Sequence, residues 1–124
     1  MSYRLVSSSD LMTVSFSGTL TRDELLSAWE EMEQEERRQT RAPDRLYLLP
    51  DVLEWHITAA DIQQHAERRR ATRLQNHIKS AIVVQRNSHA AAARIFALYS
   101  NDLPQITVRV FETVEDAYEW LEIL

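Results

Sequence analysis

Two periodicities of hydrophobic positions alternate along this chain, and together they predict its elements. Alternating apolar and polar residues are typical of strands, whereas an apolar residue every three or four positions is typical of amphipathic helices. The pattern predicts five strands, over residues 3–7, 11–17, 45–49, 81–84 and 106–111. It predicts four helices, over residues 21–41, 58–74, 88–99 and 113–124. The predicted order is therefore ββαβαβαβα.

Hydroxyl residues mark where three of these helices begin. Thr21 and Thr58 are each followed three positions later by an acid, which is the pattern of a capping box. Thr113 precedes a first turn that contains Glu115 and Asp116, and acids there complement the positive end of the helix dipole. The final strand therefore leads almost directly into the last predicted helix.

The element order predicts an α/β fold. Ser8, Ser9 and Asp10 provide the turn of an N-terminal antiparallel hairpin, whose second strand we expect Gly18 to end. Later strands alternate with helices, which favours parallel pairing through right-handed crossovers. We expect one domain over residues 1–124, a sandwich built on a mixed, mostly parallel sheet of four or five strands. Residues 50–56 are interpreted as an irregular link.

The composition of the chain limits its expected cellular location and the classes of partner that it could bind. The chain has 124 residues, of which 44% are hydrophobic and 27% are charged, as in ordinary globular proteins. No apolar run reaches the roughly 18–20 residues of a membrane span, and no signal peptide is recognisable, so we expect a cytoplasmic protein. The formal net charge of −5 disfavours nucleic acid as a partner, because its binding requires a basic surface.

The chain also lacks residues on which several chemistries depend. It has no cysteine, which removes disulfides, thiolate metal sites and cysteine nucleophiles. Its single glycine cannot form a glycine-rich phosphate loop or the nucleophile elbow of α/β hydrolases. Ser88, His89 and Asp51 could form a hydrolase triad only without such a turn. We therefore predict no catalytic residues, no cofactor, no metal and no enzymatic activity.

The residues around the 50–56 link form the first candidate binding site. Asp51, Trp55 and His56 follow a buried strand, where α/β sheets commonly bind ligands. In one interpretation, Trp55 stacks on a ligand or partner, and Asp51 and His56 bind the polar groups of that ligand or partner. In the other, Trp55 only closes the edge of the sheet and His56 faces solvent. Thr58 is either a phosphate acceptor at a helix N-terminus or only the cap of that helix.

A basic cluster near the end of the second predicted helix forms the second candidate. It consists of Arg68, Arg69, Arg70 and Arg73. These arginines either bind a phosphate, an acidic partner or a nucleic-acid backbone, or pair with the acidic segment 30–36 of the first helix. The helix over residues 88–99 carries apolar residues around much of its surface, which favours either burial or a homodimer.

The chain resembles the STAS domain family, and within it the SpoIIAA-like branch. The resemblance lies in Gly18-Thr19-Leu20-Thr21, in the strand that ends at Asp51, in the segment 81–84 and in the final strand and helix. The last of these contains Val110-Phe111, Glu115-Asp116-Ala117 and Trp120-Leu121. The resemblance implies a sheet packed by helices, and binding rather than catalysis. It also places the phosphorylated residue of regulatory members near Thr58, although the Asp-Ser-Ser-Gly-like signature is absent.

Two functional hypotheses follow from the sequence. The first is a non-enzymatic module that acts through contacts with a protein partner in regulation. The alternative is a carrier or sensor of a small apolar or anionic molecule, bound near residues 51–58.

Overall fold

The computed structural model describes residues 3–70, 74, 76–84 and 105–122. The strands are β1 (Tyr3–Ser7), β2 (Leu11–Thr21), β3 (Asp44–His56), β4 (Ile78–Val83) and β5 (Ile106–Phe111). The helices are α1 (Arg22–Arg38), α2 (Ala59–Arg70) and the last helix (Val114–Leu121). The helix predicted over residues 88–99, together with Arg73, Ser88 and His89, lies outside the described residues.

The five strands form one mixed sheet in the order β1-β2-β3-β4-β5. β1 pairs antiparallel with β2, and all other neighbouring pairs are parallel. The predicted fold class is therefore confirmed. The β2–β3 and β3–β4 connections step in the same direction across the sheet, so right-handed crossovers bring α1 and α2 to one face.

The two faces of the sheet hold separate apolar clusters. On the first face, α1 and α2 cover the sheet, and their buried Trp29, Met32 and Ile62 join residues of the four parallel strands. On the second face, the last helix packs Ala117 and Leu121 against β3 and β4. Leu25, Trp29 and Met32 are buried at helical spacing and form the inward stripe of α1.

Two predicted boundaries in the β2–β3 pair are wrong. Gly18 does not end β2, which continues to Thr21, and residues 50–56 are not an irregular link but the second half of β3. The register explains both errors. The first register shift lies between the Ser15–Leu48 and Ser17–Asp51 pairs, where β3 advances by three residues and β2 by two. The second lies between the Gly18–Val52 and Thr19–Glu54 pairs, where Leu53 has no partner on β2. These bulges break the alternation of period two from which strands are predicted.

The predicted helix starts agree with the structure, but the predicted ends do not. Thr21 accepts from the backbone N–H of Glu24, and Thr113 accepts from that of Asp116. α1 ends at Arg38 rather than at residue 41, the last helix ends at Leu121 rather than at residue 124, and Leu74, the predicted end of α2, is not helical. The backbone of Leu74 instead exchanges two hydrogen bonds with the side-chain amide of Gln105, which satisfies its N–H and C=O outside a helix.

None of the helices within the described ranges combines the length and the apolar character that crossing a membrane would require.

Candidate functional site

The four residues predicted near the end of β3 do not converge on one site. Asp51 is exposed in mid-strand, opposite Ser17 of β2. Trp55 is half-buried against the first-face core, and its indole N–H donates to the carbonyl of Ile57 at 3.0 Å. The His56 side chain is 57% exposed, and its Nε2 lies 3.2 Å from the carboxylate of Glu54.

Trp55 lines a small apolar cavity on the first face of the sheet. The cavity has a volume of about 30 Å³, and Asp51, His56 and Thr58 do not line it. Its walls include Leu49, Ile62 and Ile82, together with residues of β2 and α1. This volume is far below the about 150 Å³ of an apolar cavity that accommodates benzene, so a ligand of that size would have to displace side chains.

Thr58 caps α2 by a reciprocal pair of hydrogen bonds. Its hydroxyl accepts from the backbone N–H of Asp61 at 3.1 Å, and its own N–H donates to the Asp61 carboxylate at 3.0 Å. The other carboxylate oxygen of Asp61 lies 3.2 Å from Nε of Arg22, at the beginning of α1. Thr58 therefore has the capping role that the sequence offered as one of its two interpretations. Whether it also accepts phosphate stays a prediction.

A larger cleft, of about 190 Å³, lies between α1 and α2. Charged residues stand along it, and its walls are mainly apolar side chains with the ring of a histidine. Its lining residues are Arg22, Leu25, Leu26, Trp29, Asp61, Gln64, His65 and Arg68. We refer to this site as the interhelical cleft.

The aromatic pair in the interhelical cleft is unusually well stacked. The rings of Trp29 and His65 are 3.4 Å apart between centroids and only 6° from parallel. Both residues are buried, Trp29 at 2% and His65 at 7% exposure. The stacked rings therefore form a flat, preformed part of the wall.

One residue of the predicted basic cluster takes part in this cleft. Arg68 lies 3.4 Å from the carboxylate of Glu33 in α1, which is the pairing with the acidic segment that the sequence offered as an alternative to partner binding. Glu33 itself is buried, whereas the side chain of Arg68 is 48% exposed. The side chains of Arg69 and Arg70 lie outside the described part.

A buried ion pair lies on the same face of the sheet. Arg45 of β3 donates to the carboxylate of Glu36 in α1, and their side chains are 4% and 6% exposed. Burial lowers the pKa of Arg45, but Tyr47 and Glu36 raise it, and the net effect is a raised pKa. The guanidinium therefore stays charged, and we interpret the Glu36–Arg45 pair as a structural contact beneath α1.

Sequence reasoning missed the interhelical cleft, although α2 carried a signal for it. Asp61, His65 and Arg68 recur at helical spacing on the side of α2 that faces α1, where a helix covering a sheet normally has apolar residues. Polar residues at such positions indicate either pairing with a neighbouring helix or a binding site. The partner helix could not be identified without the sheet order.

The outer half of β3 is a second feature that the sequence did not predict. β4 pairs with β3 only from Arg45 to Leu48, while β2 follows β3 as far as His56. Residues 17–21 and 51–56 thus form a two-stranded ribbon, whose β4-side edge is unpaired within the described residues. Leu53, the unpartnered bulge residue, is 80% exposed on it.

Within the described residues, no three histidine, aspartate or glutamate side chains are grouped so that they could hold a metal ion.

Comparison with known proteins gives a family and a fold. A family model described as SpoIIAA-like matches residues 11–122. The crystal structure of an uncharacterized protein of the DUF3478 family from Shewanella loihica PV-4, which has a SpoIIAA-like fold, superposes with a TM-score of 0.58. It is 18% identical, over 96% of this chain and 91% of that chain, a likeness that concerns the fold alone. No curated protein matches.

Proposed function

The chain belongs to the SpoIIAA-like family, and from this premise we propose that it is a non-enzymatic regulatory module that acts by binding another protein. The observation that carries the proposal is the ribbon formed by residues 17–21 and 51–56. It presents an exposed leucine, several carboxylates and a strand edge with no neighbouring strand within the described ranges.

Leu53 supplies the apolar contact. A bulge places an extra residue on one strand and redirects its side chain, and here the extra residue is, at 80%, the most exposed large hydrophobic residue in the described part of the chain. A single exposed leucine is common on protein surfaces. This one stands beside backbone N–H and C=O groups that have no neighbouring strand in the described part of the chain, and the combination favours a binding surface.

The edge of β3 that no described strand pairs with favours an extended partner segment. A peptide added as a further strand would satisfy the backbone groups of residues 52–56, and alternate side chains would supply specificity. Asp51 and Glu54 are exposed on the ribbon, and Asp23 is exposed two residues beyond its end. In a chain of net charge −5, these carboxylates favour a partner segment that carries Lys or Arg between apolar residues.

A displayed library of twelve-residue peptides, selected on the immobilised protein, tests this proposal. We expect enrichment of peptides in which basic and apolar residues alternate. Their binding should fall at least tenfold in Leu53→Asp and in Asp51→Lys/Glu54→Lys. Val6→Asp is the matched control, because Val6 is also exposed, at 53%, but lies on β1 at the far edge of the sheet.

Three outcomes would overturn the proposal. The first is enrichment of acidic peptides. The second is binding that Val6→Asp weakens as much as Leu53→Asp does. The third is the absence of any enrichment for a protein whose circular dichroism shows that it is folded.

The alternative function, a small-molecule carrier or sensor near residues 51–58, has one supporting observation. Trp55, Leu49 and Ile62 line an apolar cavity between the sheet and α2. At about 30 Å³ the cavity would have to expand to hold a ligand. Native mass spectrometry of the protein from its own source tests this, and a spectrum that contains only the bare chain would reject it.

The location, the oligomeric state and the absence of enzymatic activity remain predictions. The cytoplasmic location has no structural test. The homodimer was predicted from residues 88–99, which lie outside the described part of the chain. The absence of enzymatic activity is likewise proposed rather than demonstrated.

A further inference from the structure

We propose that the interhelical cleft binds a small aromatic carboxylate, with Arg22 holding the carboxylate and the apolar wall holding the ring. This site is separate from the ribbon, and the inference does not depend on the proposed binding of a protein. It rests on the charge and the hydrogen-bonding state of Arg22, the chemistry of the wall and the volume.

Arg22 gives the cleft an exposed positive charge. Arg22 and Arg68 line the cleft with one carboxylate, that of Asp61. Arg22 pairs with Asp61, and Arg68 pairs with the Glu33 carboxylate at 3.4 Å, so the charges of these four residues balance. In a chain whose formal charge is −5, an anion meets less repulsion at this cleft than at the acidic surface elsewhere.

Arg22 has unused hydrogen-bonding capacity. It contacts Asp61 through Nε at 3.2 Å, and its side chain is 55% exposed. The two terminal nitrogens of its guanidinium make no hydrogen bond to the described residues. Two parallel N–H donors match the two oxygens of a carboxylate, which is the preferred geometry of arginine–carboxylate recognition.

The wall of the cleft suits an aromatic ring. Leu25 and Leu26 provide aliphatic surface, and the stacked rings of Trp29 and His65 provide aromatic surface. Aromatic groups pack on such surfaces in offset or edge-to-face arrangements. Because Trp29 and His65 are already buried and mutually stacked, the wall needs little ordering when a ligand binds.

The volume limits the size of the ligand. An engineered apolar cavity of about 150 Å³ accommodates benzene. The interhelical cleft, at about 190 Å³, therefore has room for one six-membered ring with a carboxylate. Benzoate, which is one such ring with a carboxylate, is therefore the appropriate probe.

Titration of the ¹⁵N-labelled protein with benzoate tests the proposal. We expect the indole N–H resonance of Trp29 to shift in a saturable manner, while those of Trp55 and Trp120 stay in place, because neither residue lines the cleft. Trp55→Phe and Trp120→Phe variants assign the three signals. Benzyl alcohol, which has the ring without the charge, should shift Trp29 much more weakly.

Arginine variants distinguish a carboxylate site from a ring pocket. Arg22→Gln should weaken benzoate binding about tenfold or more, as expected for the loss of a charged hydrogen-bond donor. Arg38→Gln is the matched control, because Arg38 is an exposed arginine of the same helix, paired with Glu35 and absent from the cleft lining. Its affinity for benzoate should change less than twofold.

The proposal is overturned if Trp29 does not respond to benzoate at about 10 mM, a concentration that would reveal even millimolar affinity. Equal binding of benzyl alcohol and benzoate would also overturn it. So would equal weakening by Arg22→Gln and Arg38→Gln, because a general effect of net charge would then explain the binding.

Discussion

The buried Glu36–Arg45 pair is the contact whose disruption should destabilise the protein most. Both side chains are more than nine-tenths buried, so removing one partner leaves an uncompensated charge in the core. We expect Glu36→Gln to lower the free energy of unfolding by about 3 kcal/mol or more. Urea denaturation monitored by circular dichroism measures the change.

Two further variants separate the ion pair from simple loss of charge. Glu35→Gln removes a carboxylate one residue away that pairs with exposed Arg38, and it should cost less than about 1 kcal/mol. Glu36→Leu/Arg45→Met removes both buried charges and should recover much of the stability lost in Glu36→Gln. A double variant less stable than Glu36→Gln would contradict this account.

Tyr3 should give the protein an alkaline dependence of stability. Its hydroxyl donates to the Glu31 carboxylate at 2.6 Å, and burial together with that carboxylate raises the pKa of Tyr3 from 10.0 to about 12. The pKa is raised in the folded state. The stabilisation is therefore fully present below pH 10 and is lost as the pH rises toward 12.

Comparison with Tyr3→Phe isolates this contribution from other alkaline titrations. The difference in unfolding free energy between the two proteins should be constant below pH 10 and should shrink between pH 10 and 12. Urea denaturation at several values across that interval measures it. A difference that stayed constant up to pH 12 would show that the Tyr3–Glu31 contact does not control the titration.

Among the strands, β2 depends on a backbone conformation that only one residue type adopts readily. Gly18 has a φ of +69°, beside the second bulge of the β2–β3 pair. A Cβ there would meet no atom within 4 Å, so the cost of a substitution is conformational rather than steric crowding. We expect Gly18→Ala to lower the unfolding free energy by about 1 kcal/mol.

Gly18→Asn serves as the comparison, because asparagine tolerates positive φ better than alanine does. It should cost less than Gly18→Ala in the same thermal or urea denaturation experiment. If alanine were tolerated as well as glycine, the left-handed conformation would not be required for the bulge.

The elements differ in how far the sequence could predict them. The caps of α1 and of the last helix were predictable, because a threonine and an acid close in sequence make a local contact. The second half of β3 was not. Pro50 and the two bulges interrupt its alternation, and its strand conformation depends on pairing with β2, thirty or more residues earlier in the chain. Long-range pairing of this kind leaves little trace in a local pattern.

For the molecule as a whole, the layers were predictable but the cleft was not. Short strands alternating with amphipathic segments favour a sheet with packed helices, and the structure has this architecture. The interhelical cleft requires α1 and α2 to be neighbours on one face, and it requires Arg22 and His65 to come together across 43 positions. No periodicity within either helix specifies that contact.

α1 and α2 bury different amounts of apolar surface, so we expect them to differ in local stability. α1 buries six residues, including Trp29 and Met32, whereas Ile62 and His65 are the buried side chains among those described for α2. Helices with little buried apolar surface open at lower free energy. We expect amide hydrogens of α2 to exchange at least about tenfold faster than those in the middle of α1.

Hydrogen exchange of the Ile62→Ala variant measures whether α2 opens independently of the other helices. The substitution removes the main aliphatic contact of α2, so exchange in α2 should accelerate more than exchange in α1 or the last helix. Equal acceleration everywhere would mean that α2 unfolds only with the whole protein. In that case the polar contacts Arg22–Asp61 and Glu33–Arg68, together with the Trp29–His65 stack, would hold α2 as firmly as a buried apolar stripe holds α1.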